Sequence, residues 1–155
     1  MNLLPWLLSF IFPLCGTLGA NGITPPGNVD FAHLHLQGHS EYLEAPAGFT
    51  PTPDSTSPIY PLSPAALFTA VQATAPTLPH IFGLDTVPQS LQAAYVIRTP
   101  EANFPDILEL QVIAEPHNQS SLIIYSHSVY GLSDYGKNHE HISIFFNALN
   151  AKVAP

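Results

Sequence analysis

Proline placement limits this chain more than any other feature. Seventeen prolines stand in 155 residues, and eight of them (Pro25, Pro26, Pro46, Pro51, Pro53, Pro58, Pro61 and Pro64) fall between residues 21 and 64. Each removes an amide donor and fixes φ, so this stretch is closed to helix and inclined to extended backbone. Within it, residues 29–36 alternate Phe31, His33 and His35 with Ala32, Leu34 and Leu36, which predicts one short strand at a sheet edge. Residues 44–62 read as an irregular connector.

Regular structure is expected from Ser63 onward. Ser63 can cap a helix with Pro64 at its first position and Leu67, Phe68 and Val71 at helical spacing, ending before Pro76. Residues 91–99, 107–115 and 121–130 are rich in strand formers, and His117-Asn118-Gln119-Ser120 suits a hairpin turn between the last two. Near the end, Asn138 can cap a helix carrying Ile142, Phe145, Phe146, Leu149 and Val153 on one face. These elements predict an α+β fold: a small, mostly antiparallel sheet of about four strands with two helices packed on one face. The expected division is a signal peptide or apolar anchor at 1–20, a Pro-rich extended segment at 21–62 and the α+β domain at 63–155.

The apolar run from Leu3 to Cys15 has no charged side chain and is followed by Gly16, Thr17, Gly19 and Ala20, the pattern of a signal peptide. It is too short, and too broken by Pro5 and Pro13, to span a bilayer as a lone helix. Export to a periplasm, cell envelope or extracellular space is the expectation, with a plastid lumen or a retained membrane anchor as alternatives. Any peripheral membrane association would go through this segment. Cys15, the only cysteine, leaves no intramolecular disulfide, and Leu14 stands where lipidation sites want a small residue. The N-x-S sequon at Asn118 matters only in a eukaryotic source.

Arg98, Lys137 and Lys152 are the only Lys and Arg residues against eleven carboxylates, for a formal charge of −8. Nothing here can neutralise a run of phosphates, which excludes nucleic-acid binding. Eight histidines are a second, pH-dependent source of positive charge.

Two segments carry the most distinctive residues. One runs from Tyr95-Val96-Ile97-Arg98-Thr99-Pro100 to Phe104-Pro105-Asp106. The other runs from Ser126-His127-Ser128 to Gly131-Leu132-Ser133-Asp134-Tyr135-Gly136-Lys137-Asn138. Over roughly residues 60–150 this arrangement resembles the uncharacterised domain-of-unknown-function family numbered 1499. That family's pattern joins an Arg-Ser/Thr strand, a Phe-Pro-Asp turn and Ser-Arg-Ser before Gly-x-Ser-Asp-x-Gly-x-Asn-x-x-Arg. The resemblance implies a small α+β domain, often behind a signal or membrane segment, and no known activity. This chain departs from the pattern at His127, which replaces the central Arg, and at His139 and His141, which follow the Asn where Arg is common. An imidazole lacks the guanidinium fork, so any anion site built on these positions would need mild acid.

The candidate ligand-binding residues are Arg98, Asp106, Ser126, His127, Ser128, Ser133, Asp134, Asn138 and His141. Ser126 and Ser128 share a strand face, and a glycine turn leading into a helix makes a donor-rich concavity. The bland readings are a turn with an Asn138 cap, and an ion pair of Arg98 with Asp106 or Asp134. No metal is expected, because His139 and His141 diverge at i, i+2 on a helix and His33-x-His35 lacks a third ligand. For nucleophilic catalysis, His127 would project to the sheet face opposite both serines, leaving His139 or His141 as base. The expectation is an exported binding or envelope-assembly module rather than an enzyme, without a cofactor, whose partner is a small anionic ligand or an envelope protein. A serine- or metal-dependent hydrolase and a structural interaction domain are the alternatives.

Overall fold

The computed structural model of the chain describes residues 2–154. Seven strands form one sheet: β1 (Glu41–Ala45), β2 (Ser55–Thr56), β3 (Ile59–Tyr60), β4 (Ile81–Val87), β5 (Gln92–Arg98), β6 (Pro105–Glu115) and β7 (Gln119–Ser128). Their order is β2-β1-β7-β6-β5-β4, with β3 also pairing to β7. β1 and β2 run parallel and the other pairs antiparallel, so the sheet is mixed. Three α-helices accompany it: α1 (Leu4–Ile11), α2 (Pro64–Thr74) and α3 (Lys137–Val153).

This corrects the expected four-stranded, mostly antiparallel sheet with two helices. The Pro-rich stretch supplies three short strands, because its prolines fall between β1, β2 and β3 and leave the paired residues free to donate. The strand expected at residues 29–36 is absent there. That segment forms a single 3-10 turn at Phe31–His33, which shifts the alternation by one residue and so places Val29, Phe31, Leu34 and Leu36 together against the sheet.

α2 begins as its sequence dictates, with the Ser63 hydroxyl accepting from the Ala66 amide and Pro64 in the first turn. Its Leu67, Phe68 and Val71 pack with Ile142, Phe145, Phe146 and Leu149 of α3 on one sheet face, against Tyr95, Ile97, Leu108, Leu110, Leu122 and Ile124. The opposite face holds a smaller cluster of Phe31, Leu43, Ala45, Ile123 and Tyr125, flanked by Val29, Leu34, Leu36 and Phe49. Burial of each large apolar side chain contributes about 1.5–3 kcal/mol. Neither cluster uses a residue before Val29, so the body from there onward contains its own core.

The centre of the sheet is the β6–β7 hairpin, paired from Asp106↔Ser128 to Glu115↔Gln119. Its connection is a 3-10 turn at Pro116–Asn118, where His117 and Asn118 take left-handed φ values of 61° and 58°. At the other extreme, α1 buries none of its residues and leaves Trp6, Leu7, Phe10 and Ile11 exposed. A 3-10 turn at Pro13–Gly16 and residues 17–19 then lie against the sheet end formed by Arg98 and the β5–β6 turn. Among the described residues no helix is long and apolar enough to cross a membrane.

Candidate functional site

The end of the sheet where β5 stops, β6 starts and β7 runs into α3 gathers most of the candidate residues. Asn138 is the centre of one cluster. Fully buried, it accepts from the Ser126 hydroxyl at 2.6 Å, and its two amide N–H groups are shared among the Ser40 carbonyl (2.8 Å), the Ser128 hydroxyl (3.0 Å) and Asp134 Oδ2 (2.8 Å). Asp134 also accepts from the backbone amides of Gly136 and Asn138. Burial pushes the Asp134 carboxyl pKa up, but these hydrogen bonds outweigh it and hold the group below the usual carboxylate range. Asn138 therefore does not cap α3. The helix begins at Lys137 behind Gly136, whose φ of 79° suits glycine, and the outlying Asp134 satisfies its first amides.

Behind this cluster, Asp106 and His141 meet at 2.9 Å with little of either side chain exposed. Their contact links the start of β6 to α3 and is an ion pair when His141 is protonated. His127 points the other way, as strand alternation demands, toward Glu109 at 3.7 Å and stacked on Tyr125. His139 lies against the Tyr42 ring with centroids 4.5 Å apart. Ser133 is exposed, its hydroxyl accepting from the Tyr135 amide at 3.4 Å. His127, His139 and His141 thus have three separate surroundings. Among the described residues no serine hydroxyl bonds a histidine ring, and no group of three His, Cys, Asp or Glu side chains is placed to hold a metal ion.

Arg98 does not join the Ser126–Asn138 cluster. Its neighbour Ile97 packs toward the helices, so alternation along β5 sends Arg98 to the opposite face. It pairs with neither Asp106 nor Asp134. The guanidinium, 3% exposed, is held by neutral oxygens: Nε donates to Gly19 O (3.0 Å), Nη1 to Leu14 O (2.6 Å) and Asn103 O (3.1 Å), and Nη2 to the Thr17 hydroxyl (2.8 Å). Beside it, the Asn103 amide donates to Cys15 O (2.6 Å) and Thr17 O (2.8 Å). Burial lowers the Arg98 pKa, and among the described residues no carboxylate pairs with it.

Between the two polar clusters opens a cleft of about 250 Å³. Phe12, Phe104, Tyr130 and Tyr135 supply aromatic surface, while Thr99, Asp106, Ser128, Ser133, Asp134 and Lys137 supply polar groups. Phe12 packs on Phe104 and Tyr130 with centroids 5.4 and 4.9 Å apart. Lys137 at the rim is half exposed and paired with Glu140 at 2.6 Å.

The structure thus brings Asp106, Ser128, Ser133 and Asp134 to one cleft, with Ser126, Asn138 and His141 immediately behind it and Arg98 and His127 on the other face. Sequence reasoning missed Asn103, Phe104 and Tyr130. Asn103 carried a usable signal, an asparagine in a short segment between two prolines, where left-handed backbone is tolerated; its φ is 57°.

No family model matches the chain, and no curated protein matches it. Among solved structures, the chain is similar to the crystal structure of Ara h 8.0201, with 12% identity and a TM-score of 0.44 over 63% of this chain and 93% of that one. A likeness that distant carries neither fold nor function across.

Proposed function

We propose that the protein is an exported binding module that takes a small amphipathic molecule in the Phe104–Tyr130–Lys137 cleft, without catalysis. The observation that carries this reading is the lining of that cleft, which sets several aromatic rings opposite hydroxyl and carboxylate groups. Concave sites of that composition are the usual form of small-ligand sites. Its volume lies just below the roughly 300 Å³ at which pockets for drug-sized ligands begin, which favours a compact ligand. The buried polar side chains behind the cleft bond to one another instead of aiming at a reacting atom, which favours binding over chemistry. Export rests on the apolar, uncharged residues 3–15 and on α1, whose outward Trp6, Leu7, Phe10 and Ile11 suit a leader that stays on the protein as a membrane-surface contact. Membership in the uncharacterised family belongs to the same proposal: Arg98, Phe104-Pro105-Asp106 and the Ser126–Asn138 string all lie at this sheet end.

The test is an amide chemical-shift titration of the full chain with indole and with benzyl alcohol, neutral probes of the stated chemistry. Expected are saturable shifts confined to residues around 99–106 and 128–137, abolished by Thr99→Trp, which fills the cleft. Shifts that are absent up to about 10 mM, or that survive the filling variant, overturn the reading; at that concentration even a millimolar site is nearly saturated.

A further inference from the structure

We propose that Arg98 and Asn103 form a carboxylate-binding site that residues 14–19 of the same chain occupy in the absence of ligand. The first ground is electrostatic. A buried guanidinium ordinarily has an anionic partner, because neutral acceptors do not offset the cost of taking its charge out of water. Arg98 is almost fully buried and, among the described residues, has only carbonyls and one hydroxyl as partners, in a chain with eleven Asp and Glu carboxylates.

The second ground is who supplies those partners. Three of the four Arg98 hydrogen bonds and both Asn103 side-chain bonds go to Leu14, Cys15, Thr17 and Gly19, in a segment that adds nothing to either apolar cluster. The donors, in contrast, belong to the body. Asn103 sits in a turn closed by Thr99 N–H to Phe104 O, Asn103 N–H to Thr99 O and Phe104 N–H to the Thr99 hydroxyl, so its amide stays aimed when the segment leaves.

The third ground is shape. Nε and Nη2 form the guanidinium edge that grips a carboxylate side-on, and here that edge holds Gly19 O and the Thr17 hydroxyl, two neutral oxygens in the places of a carboxylate's two. One guanidinium and one amide match a monoanion. A phosphate, with a charge of about −1.5 to −2 at neutral pH, would remain undercompensated. The site lies on the Arg98 side of the sheet end and does not require the cleft proposed above to bind anything.

Cys15 makes the exchange measurable, since the only thiol of the chain is fully buried within the occupying segment. Its labelling by the neutral reagent 4,4′-dithiodipyridine reports release of residues 14–19 in the full chain. A ligand that binds only the released state raises its population by 1 + [L]/Kd, so propionate at about 100 mM, against a Kd of about 10 mM, speeds labelling about tenfold. Propionamide, the neutral isostere, and chloride at matched ionic strength leave the rate unchanged. Arg98→Gln labels fast and loses the propionate response, whereas Phe12→Ala, which loosens the segment without touching the site, labels faster and keeps it. An equal response to propionate and propionamide overturns the proposal, as does a propionate response that survives Arg98→Gln. A labelling rate equal to that of global unfolding, measured by circular dichroism in the same buffer, also overturns it.

Discussion

Two buried polar clusters sit at the same end of the sheet, and they differ in where their partners come from. Around Asn138 every acceptor and donor belongs to β7, α3, the turn between them or the residue preceding β1. Around Arg98 most partners come from residues 14–19, which lie about eighty positions away in sequence and outside the core. A cluster satisfied by the body fixes the fold; one satisfied by a peripheral strap can change partners at the cost of the strap alone.

The largest expected effect comes from Asn138→Ala, which strands the fully buried Ser126 hydroxyl, takes one of two donors from the Ser40 carbonyl and lowers global stability by about 2–3 kcal/mol in urea unfolding. Next, Asn103→Gly, which keeps the left-handed φ of 57° unstrained, removes two hydrogen bonds that only the strap uses. It is expected to change global stability by less than about 1 kcal/mol while speeding Cys15 labelling about tenfold; a loss as large as that of Asn138→Ala would erase the distinction between the clusters.

A pH titration separates them further. The Asp134 carboxyl is held below its unfolded value, so its contribution is fully present above about pH 4 and is lost as pH falls through the folded pKa. Asp134→Asn therefore flattens the acid limb of the Tm profile below about pH 4, while Cys15 labelling keeps its pH dependence. The smallest effect belongs to Lys137→Ala: its exposed pair with Glu140 is worth less than about 0.5 kcal/mol, and chemical denaturation is expected to show no more than that.

How much of this was legible depends on whether the signal was local. Ser63-Pro64 set the start of α2 because cap and first-turn proline act within one turn. The runs that became β5, β6 and β7 were legible because they are buried and uninterrupted. β4 was missed, since Gly83 and a register shift between Gly83 and Asp85 break its alternation on an edge strand. Residues 29–36 were misread because the 3-10 turn at Phe31–His33 changes the phase of the pattern, bringing Phe31 to the same side as Leu34 and Leu36 where a strand would part them. Asn138 looked like a cap, and only the tertiary positions of Ser40, Ser126 and Ser128 turn its amide inward. That Arg98 and Ser126 face opposite ways follows from the pairing register of β5, β6 and β7, which no single strand encodes.

The span between the strap and its clamp also sets an order of events during synthesis. Gly19 and Arg98 are 79 residues apart. At about 5–20 residues per second, roughly 4–16 s pass between the making of one and of the other. Through that interval residues 14–19 have no clamp to lie against, so the Cys15 thiol, fully buried in the folded protein, stays open to reagents until Arg98 and Asn103 have been made.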